Sequence, residues 1–122
     1  MSISLRGSEY DPSIDPVESL QNSRRGHLSY FSRLCNDIDQ LEIEFDSGCG
    51  DISGYLDSFL QFQCRFREAF NKYCTIHESL IRCQTIDLAL MERLKSSHSK
   101  AVNRFNDKSL SLKSMMSVLT SQ

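Results

Sequence analysis

The sequence lacks tryptophan, long apolar runs and any strong excess of charge of one sign. Without about 20 consecutive apolar residues, no membrane-spanning helix is predicted. The charged fraction of 25% and the net charge of −2 are ordinary for a globular protein, which argues against a highly charged disordered chain. A length of 122 residues suits a single domain with one core. We therefore expect one soluble structural unit.

Cysteine pairs with the spacing of metal or redox motifs are also absent. The five cysteines are an odd number and include no Cys-x-x-Cys pair, so we expect reduced thiols. Cys49 lies between two glycines and is the thiol that we expect to be exposed and reactive. Residues 1–6 lack the apolar core of a signal peptide, and we therefore expect a cytoplasmic protein.

Apolar residues recur in steps of three and four on each side of a polar break at residues 46–51. This period of about 3.5 residues is typical of helices that pack against each other along one stripe. The first stripe consists of Val17, Leu20, Arg24, His27, Phe31, Leu34, Ile38, Leu41 and Phe45. The second stripe consists of Ile52, Tyr55, Phe59, Phe62, Phe66, Ala69, Tyr73, Ile76, Leu80 and Cys83. The pattern predicts an all-α fold built on an antiparallel helical hairpin that resembles a coiled coil.

The ends of the first helix carry recognisable signals. Asp15 can accept a hydrogen bond as N-cap, Pro16 suits the first helical position, and a glutamate follows three residues after the cap. Gly48 and Gly50 favour a stop and a chain reversal. Residues 41–45 also alternate like a strand, but they continue the helical register of the first stripe, which favours a helix. Asp51 or Ser53 is expected to cap the second helix.

After Gly54 there is no glycine or proline up to the end of the sequence, and a third stripe appears four residues out of phase. This stripe consists of Met91, Leu94, His98, Ala101, Phe105, Lys108, Leu112, Met115 and Leu119. Such a shift indicates either a stutter in one continuous helix or a kink near residues 85–87. We expect a disordered lead-in at residues 1–14 and a single helical domain at 15–122. Its helices should span about 16–46, 52–84 and 86–119.

The first helix can cover only part of the chain after the break, so the third stripe must either fold back or pair with another chain. We take it as the candidate partner contact, with self-association as the expected use. The candidate contact residues are Met91, Leu94, Ala101, Phe105, Leu112 and Met115. The same region is mildly basic, so a nucleic-acid-binding helical module that also uses Arg24 and Arg25 is an alternative, although not the favoured one. A cytosolic adaptor with a foreign protein partner is another.

No catalytic, metal or cofactor constellation is predicted, and we expect a non-enzymatic protein without a small-molecule substrate or a membrane partner. The signature at Asp46-Ser47-Gly48 is that of aspartic proteases, but their chemistry needs two carboxylates in a β-rich fold. Cys74 and His77 lie one helical turn apart, yet a structural zinc site needs four ligands.

Aromatic and histidine side chains on the stripes have a structural interpretation. The aromatic residues between 55 and 73 follow one helical stripe, which predicts a core and not a base-stacking surface. His27 and His98 fall at stripe positions, where a pH switch is one interpretation. Polar interruptions that fix the register of the helices are the commoner use of such residues.

Two segments resemble a known family. They are residues 23–34 (Ser-Arg-Arg-Gly-His-Leu-Ser-Tyr-Phe-Ser-Arg-Leu) and, after the break, Tyr55-Leu56 followed by residues 59–80, which include Phe-Arg-Glu-Ala-Phe-Asn-Lys-Tyr at 66–73. Together they resemble the helical segment near the start of Gag-like polyproteins from BEL/Pao-type retroelements. The resemblance implies a structural, self-associating role in particle assembly, or a host protein derived from such an element. The sequence lacks the cysteine-histidine knuckle of a full Gag protein, so the resemblance carries over neither RNA binding nor any catalytic residue.

Overall fold

The computed structural model describes residues 15–48 and 52–121 and places three helices there. They are α1 (Pro16–Asp46), α2 (Ile52–Ile81) and α3 (Leu88–Thr120), and each packs against the other two. No strand occurs within the described ranges. The all-α class is therefore confirmed. The expected lead-in at residues 1–14 and the expected reactive thiol Cys49 lie outside the described residues.

Helix α1 has the bounds that its sequence signals predict. The Asp15 carboxylate accepts a hydrogen bond from the Val17 N–H at 3.0 Å, and proline occupies the first turn. At the other end the Ser47 N–H donates to the Ile43 carbonyl, and Gly48 takes a φ of 76°. This left-handed conformation suits glycine and ends the helix. The Asp-Ser-Gly signature is thus a helix stop. Of the two caps expected for α2, Asp51 lies outside the described residues.

The junction between α2 and α3 is a turn, so the two helices are not continuous. Helix α2 ends at Ile81, three residues before the predicted end, and α3 begins two residues after its predicted start. The Cys83 N–H donates to the Leu80 carbonyl in a tightened last turn, and the Asp87 carboxylate accepts from the Leu90 N–H at 2.7 Å to start α3. An apolar cluster fastens this turn to α1, and its residues are Val17, Leu20, Leu80, Ile81, Cys83, Ile86, Leu90 and Leu94.

Helix α3 folds back along the hairpin and runs in the same direction as α1. The Arg104 guanidinium donates to the Ser32 hydroxyl, and nearer the amino ends of both helices the Arg24 guanidinium donates to the Leu94 carbonyl. All three stripes therefore face one another inside a three-helix bundle. The main core contains Phe31, Leu34, Cys35, Ile38, Phe59, Phe66, Ala69, Tyr73, Ala101, Leu112, Met115 and Leu119.

Candidate functional site

The residues predicted to contact a partner lie inside the bundle. Leu94, Ala101, Leu112 and Met115 are buried, and Met91 and Phe105 are half-buried. Of the two alternatives for the third stripe, the chain adopts the fold-back. Leu94, Ala101 and Met115 could meet a partner only if α3 left the other two helices. Most of this stripe therefore packs inside the folded chain, and its contact with a partner stays a prediction.

A buried polar cluster, formed by Arg24, Tyr73, His77 and His98, joins all three helices. Arg24 of α1 is 7% exposed, and its Nε donates to Nδ1 of His77 at 3.2 Å. Its Nη2 donates to the Tyr73 hydroxyl at 3.1 Å and to the Leu94 carbonyl at 3.4 Å. The Tyr73 hydroxyl also meets Nδ1 of His98 at 2.9 Å. Each of these hydrogen bonds joins two different helices, so the cluster fixes the positions of the helices along the bundle axis.

The hydrogen bond from Arg24 fixes where the proton of the His77 ring lies. A guanidinium only donates, so Nδ1 of His77 must be an acceptor and that ring carries its proton on Nε2. The Tyr73 hydroxyl accepts from Arg24 and also forms a hydrogen bond with Nδ1 of His98, in which the tautomer of His98 decides which group donates. The two imidazole rings stack with their centroids 4.0 Å apart. The geometry thus requires a neutral His77 beside one permanent cation.

The pKa values of both histidines follow from this environment. Burial, the neighbouring His98 and the Arg24 charge lower the pKa of His77 from 6.5 to about 4. Burial and Arg24 also lower the pKa of His98, while Glu78 opposes that shift. Burial raises the pKa of the Tyr73 phenol and outweighs the opposing influence of Arg24. Near neutral pH both imidazoles are therefore uncharged, and for His77 this agrees with its role as acceptor from Arg24.

Sequence reasoning placed Arg24 and His98 on the stripes but overlooked His77 as their partner. The structure turns His77 toward the core and leaves Cys74 on the flank of α2. No group of three potential metal-ligating side chains occurs within residues 15–48 and 52–121. A usable signal existed, because residues equally far from a hairpin turn lie opposite each other, and this places residues 73–74, one helical turn before His77, across from Arg24.

An open groove lies between α2 and α3 on the outside of the bundle and has a volume of about 340 Å³. Its floor is apolar and is formed by Phe66, Phe105 and Leu112. The exposed Arg67, Leu110 and Lys113 stand at its edges. The described residues that line this groove include no acidic side chain. The groove can therefore receive an apolar side chain that is flanked by negative charge.

Several cations assigned to the nucleic-acid alternative are engaged within the chain. Arg24 is buried in the polar cluster, and Arg104 donates to the Ser32 hydroxyl at 3.1 Å. Lys108 forms an ion pair with Asp39 at 2.5 Å. These three side chains are committed to contacts between helices, which leaves fewer cations for phosphate groups.

The described cysteines Cys35, Cys64, Cys74 and Cys83 are free thiols, as expected. Burial raises the pKa of the Cys35 thiol, and the same cause raises that of Cys74.

Among the described helices, none combines the length and apolar character needed to cross a membrane. No protein family, curated protein or solved structure matches this chain.

Proposed function

We propose that this chain is a non-enzymatic protein-interaction module that associates with further copies of itself in the cytoplasm. The groove between α2 and α3 carries this proposal, because it combines an apolar floor, an exposed leucine and two exposed cations. Such a surface suits contact with a protein whose own apolar side chain is flanked by carboxylates.

The interior of the bundle supports the proposal indirectly. Within the described residues, every buried side-chain nitrogen or oxygen has a hydrogen-bond partner. The polar cluster is engaged in holding the helices together, so the outer faces are the places where a partner can bind. The resemblance to Gag-like segments implies the same kind of self-associating role, and the retroelement origin stays a prediction.

Light scattering of the reduced chain across a concentration series tests the proposal. We expect the average mass to rise above that of a 14.0 kDa monomer as concentration increases. A monomer at every concentration would contradict self-association and turn the search to a foreign protein partner.

The nucleic-acid alternative is tested with a labelled single-stranded RNA at two salt concentrations. Phosphate contacts would give an affinity that falls steeply as salt rises. We expect no such binding, because Arg24, Arg104 and Lys108 are engaged within the bundle.

A further inference from the structure

The carboxyl end of α1 presents an apolar side chain surrounded by acids, which we name the acidic knob. It is formed by Ile43, Asp39, Glu44 and Asp46. Ile43 is 63% exposed, so its apolar side chain is open to contact with another molecule. Asp39 and Asp46 lie four residues before and three residues after Ile43, so they share its face of the helix. Glu44 is its exposed chain neighbour.

Two carboxylates of the acidic knob have no cationic partner within the described chain. Asp39 is paired with Lys108 of α3. The Glu44 carboxylate accepts only a 3.4 Å hydrogen bond from Gln40, and neither Glu44 nor Asp46 forms an ion pair among the described residues. The knob therefore offers an apolar tip and two uncompensated negative charges.

The groove between α2 and α3 has the complementary composition. Leu110, which is 63% exposed, matches the apolar tip, while Arg67 and Lys113 provide two exposed positive charges. The groove thus has two exposed cations, one for each unpaired carboxylate of the acidic knob. Opposite charges around an apolar contact favour one orientation and disfavour like-charged partners.

The knob and the groove of one chain do not meet each other. The knob belongs to α1 and the described lining of the groove to α2 and α3, and no side-chain hydrogen bond or ion pair among the described residues joins the knob to a residue of that lining. A contact between the two surfaces must therefore join two molecules. Because the surfaces differ, the contact is of the head-to-tail kind, and each copy keeps one free knob and one free groove.

We infer that the acidic knob of one copy docks in the groove of the next, so that copies assemble head to tail into rings or filaments. This inference rests on the proposed self-association and names the surfaces that produce it. One knob and one groove make a small interface, so each contact should be weak, with a Kd on the order of 100 µM.

Charge reversal on each surface tests the pairing. The groove variant carries Arg67→Glu and Lys113→Glu, and the knob variant carries Glu44→Lys and Asp46→Lys. All four side chains are exposed, so both variants should keep the helical circular dichroism and the melting temperature of the parent chain. We expect each variant alone to associate more than about tenfold more weakly than the parent chain, because like charges then face each other.

Mixing the two reversed variants in equal amounts is the decisive step. In the mixture, the reversed groove meets the reversed knob and the unchanged groove meets the unchanged knob, so light scattering should show the mass of the parent assembly again. The matched control carries Arg93→Glu and Lys100→Glu, which make the same charge change on α3 at exposed residues outside the groove lining. This control should associate like the parent chain.

The outcomes separate this inference from the proposed function. If the parent chain is a monomer throughout, both fail. If the parent chain associates but the mixture of reversed variants stays monomeric, self-association stands and the knob-to-groove pairing is wrong. If only the groove variant loses association, another segment occupies the groove. Should either charge variant lose its helical signal, Ile43→Ser and Leu110→Ser remove the apolar contact instead, and each should weaken association.

Discussion

Two neighbouring levels of the bundle join the same three helices by different means. One is the polar cluster, and the other is an aromatic block formed by Phe31, Phe66, Phe70 and Phe105. In the aromatic block, Phe70 and Phe105 stack with centroids 4.1 Å apart, and Phe66 stacks on Phe31 at 5.1 Å. Burial of such rings stabilises the fold through large apolar contacts. In the polar cluster, directional hydrogen bonds fix the heights of the helices.

Stability and helix register come from different layers of the same core. Aromatic contacts have no strict direction, so they contribute free energy with less demand on the exact register. The hydrogen bonds of Arg24 are satisfied in one arrangement only, and a shifted helix would leave a buried charge without acceptors. We therefore expect the aromatic block to dominate the free energy of unfolding and the polar cluster to dominate its pH dependence.

The largest effect should come from Phe66→Ala in the aromatic block. Phe66 is buried and its ring contacts Phe31 and Phe105, so the free energy of unfolding should fall by about 3–5 kcal/mol. Urea unfolding at pH 7 measures it. The matched control is Leu60→Ala on the same helix, where the side chain is 45% exposed and a much smaller loss is expected. Equal losses in the two variants would contradict the assignment of the block to the core.

The second largest change in the free energy of unfolding should come from acidification, which acts on the polar cluster. The pKa of His77 is lowered from 6.5 to about 4, so the unfolded chain binds a proton first as the pH falls. The stabilising contribution of the neutral ring is complete above pH 6.5 and is lost progressively down to about pH 4. We expect the free energy of unfolding to fall by roughly 3 kcal/mol over this pH range, and protonation of His98 should lower it further.

The variant His77→Asn isolates this contribution. The asparagine side-chain oxygen can accept from Arg24 as Nδ1 does, but it cannot be protonated in this range. Urea unfolding between pH 4 and 7 should therefore show a flatter pH profile for the variant than for the parent chain. Parallel profiles would assign the acid sensitivity to other groups.

Loss of the Tyr73 hydroxyl should have a moderate effect. Tyr73→Phe keeps the buried ring but deprives Arg24 of one acceptor and His98 of its partner, so the free energy of unfolding should fall by about 1–3 kcal/mol.

The variant to compare with it is Arg24→Met, which removes the buried charge together with its hydrogen bonds and should lower the free energy of unfolding by less. The pKa of His77, followed by NMR titration, should rise in Arg24→Met. A larger loss for Arg24→Met than for Tyr73→Phe would show that the cation itself stabilises the fold.

The smallest effect should come from Gly26→Ala, at a helical residue between the two layers. An added Cβ there meets no atom within 4 Å, so alanine should raise the free energy of unfolding by about 0.5–1 kcal/mol. The pH profile should keep its shape, because neither layer is touched. The opposite sign is expected for Gly48→Ala, where φ is 76°. Thermal unfolding by circular dichroism distinguishes the two, and equal melting temperatures would contradict this account.

The local signals of the sequence predicted α1 well and the α2–α3 junction less well. Asp15, Pro16 and Gly48 act through bonds and φ angles within a few residues, so they fix the ends of α1 wherever it packs. At the junction, no residue forbids a continuous helix. The turn forms because a chain reversal allows Leu80 to be buried against Val17 and Leu94. This burial stabilises the fold only when the three helices pack together.

The candidate site divides in the same way. The stripe pattern identified Arg24 and His98 as interruptions facing the core, but their neighbours depend on the packing of three helices. The acidic run and the basic helix are visible in the sequence, whereas the groove that Arg67, Leu110 and Lys113 share is produced only by the docking of α3 beside α2.

Local features of the sequence make the chain helical, set the two ends of α1 and mark most of the side chains that face inward, although not His77. These properties follow from periodicity, caps and backbone preferences, which act over one or two turns. Packing of the three helices is what folds α3 back, brings Arg24 to His77 and Tyr73, and forms the groove between α2 and α3. Those outcomes depend on burial and hydrogen bonds between residues far apart in the chain, and such contacts have a free energy only in the assembled bundle.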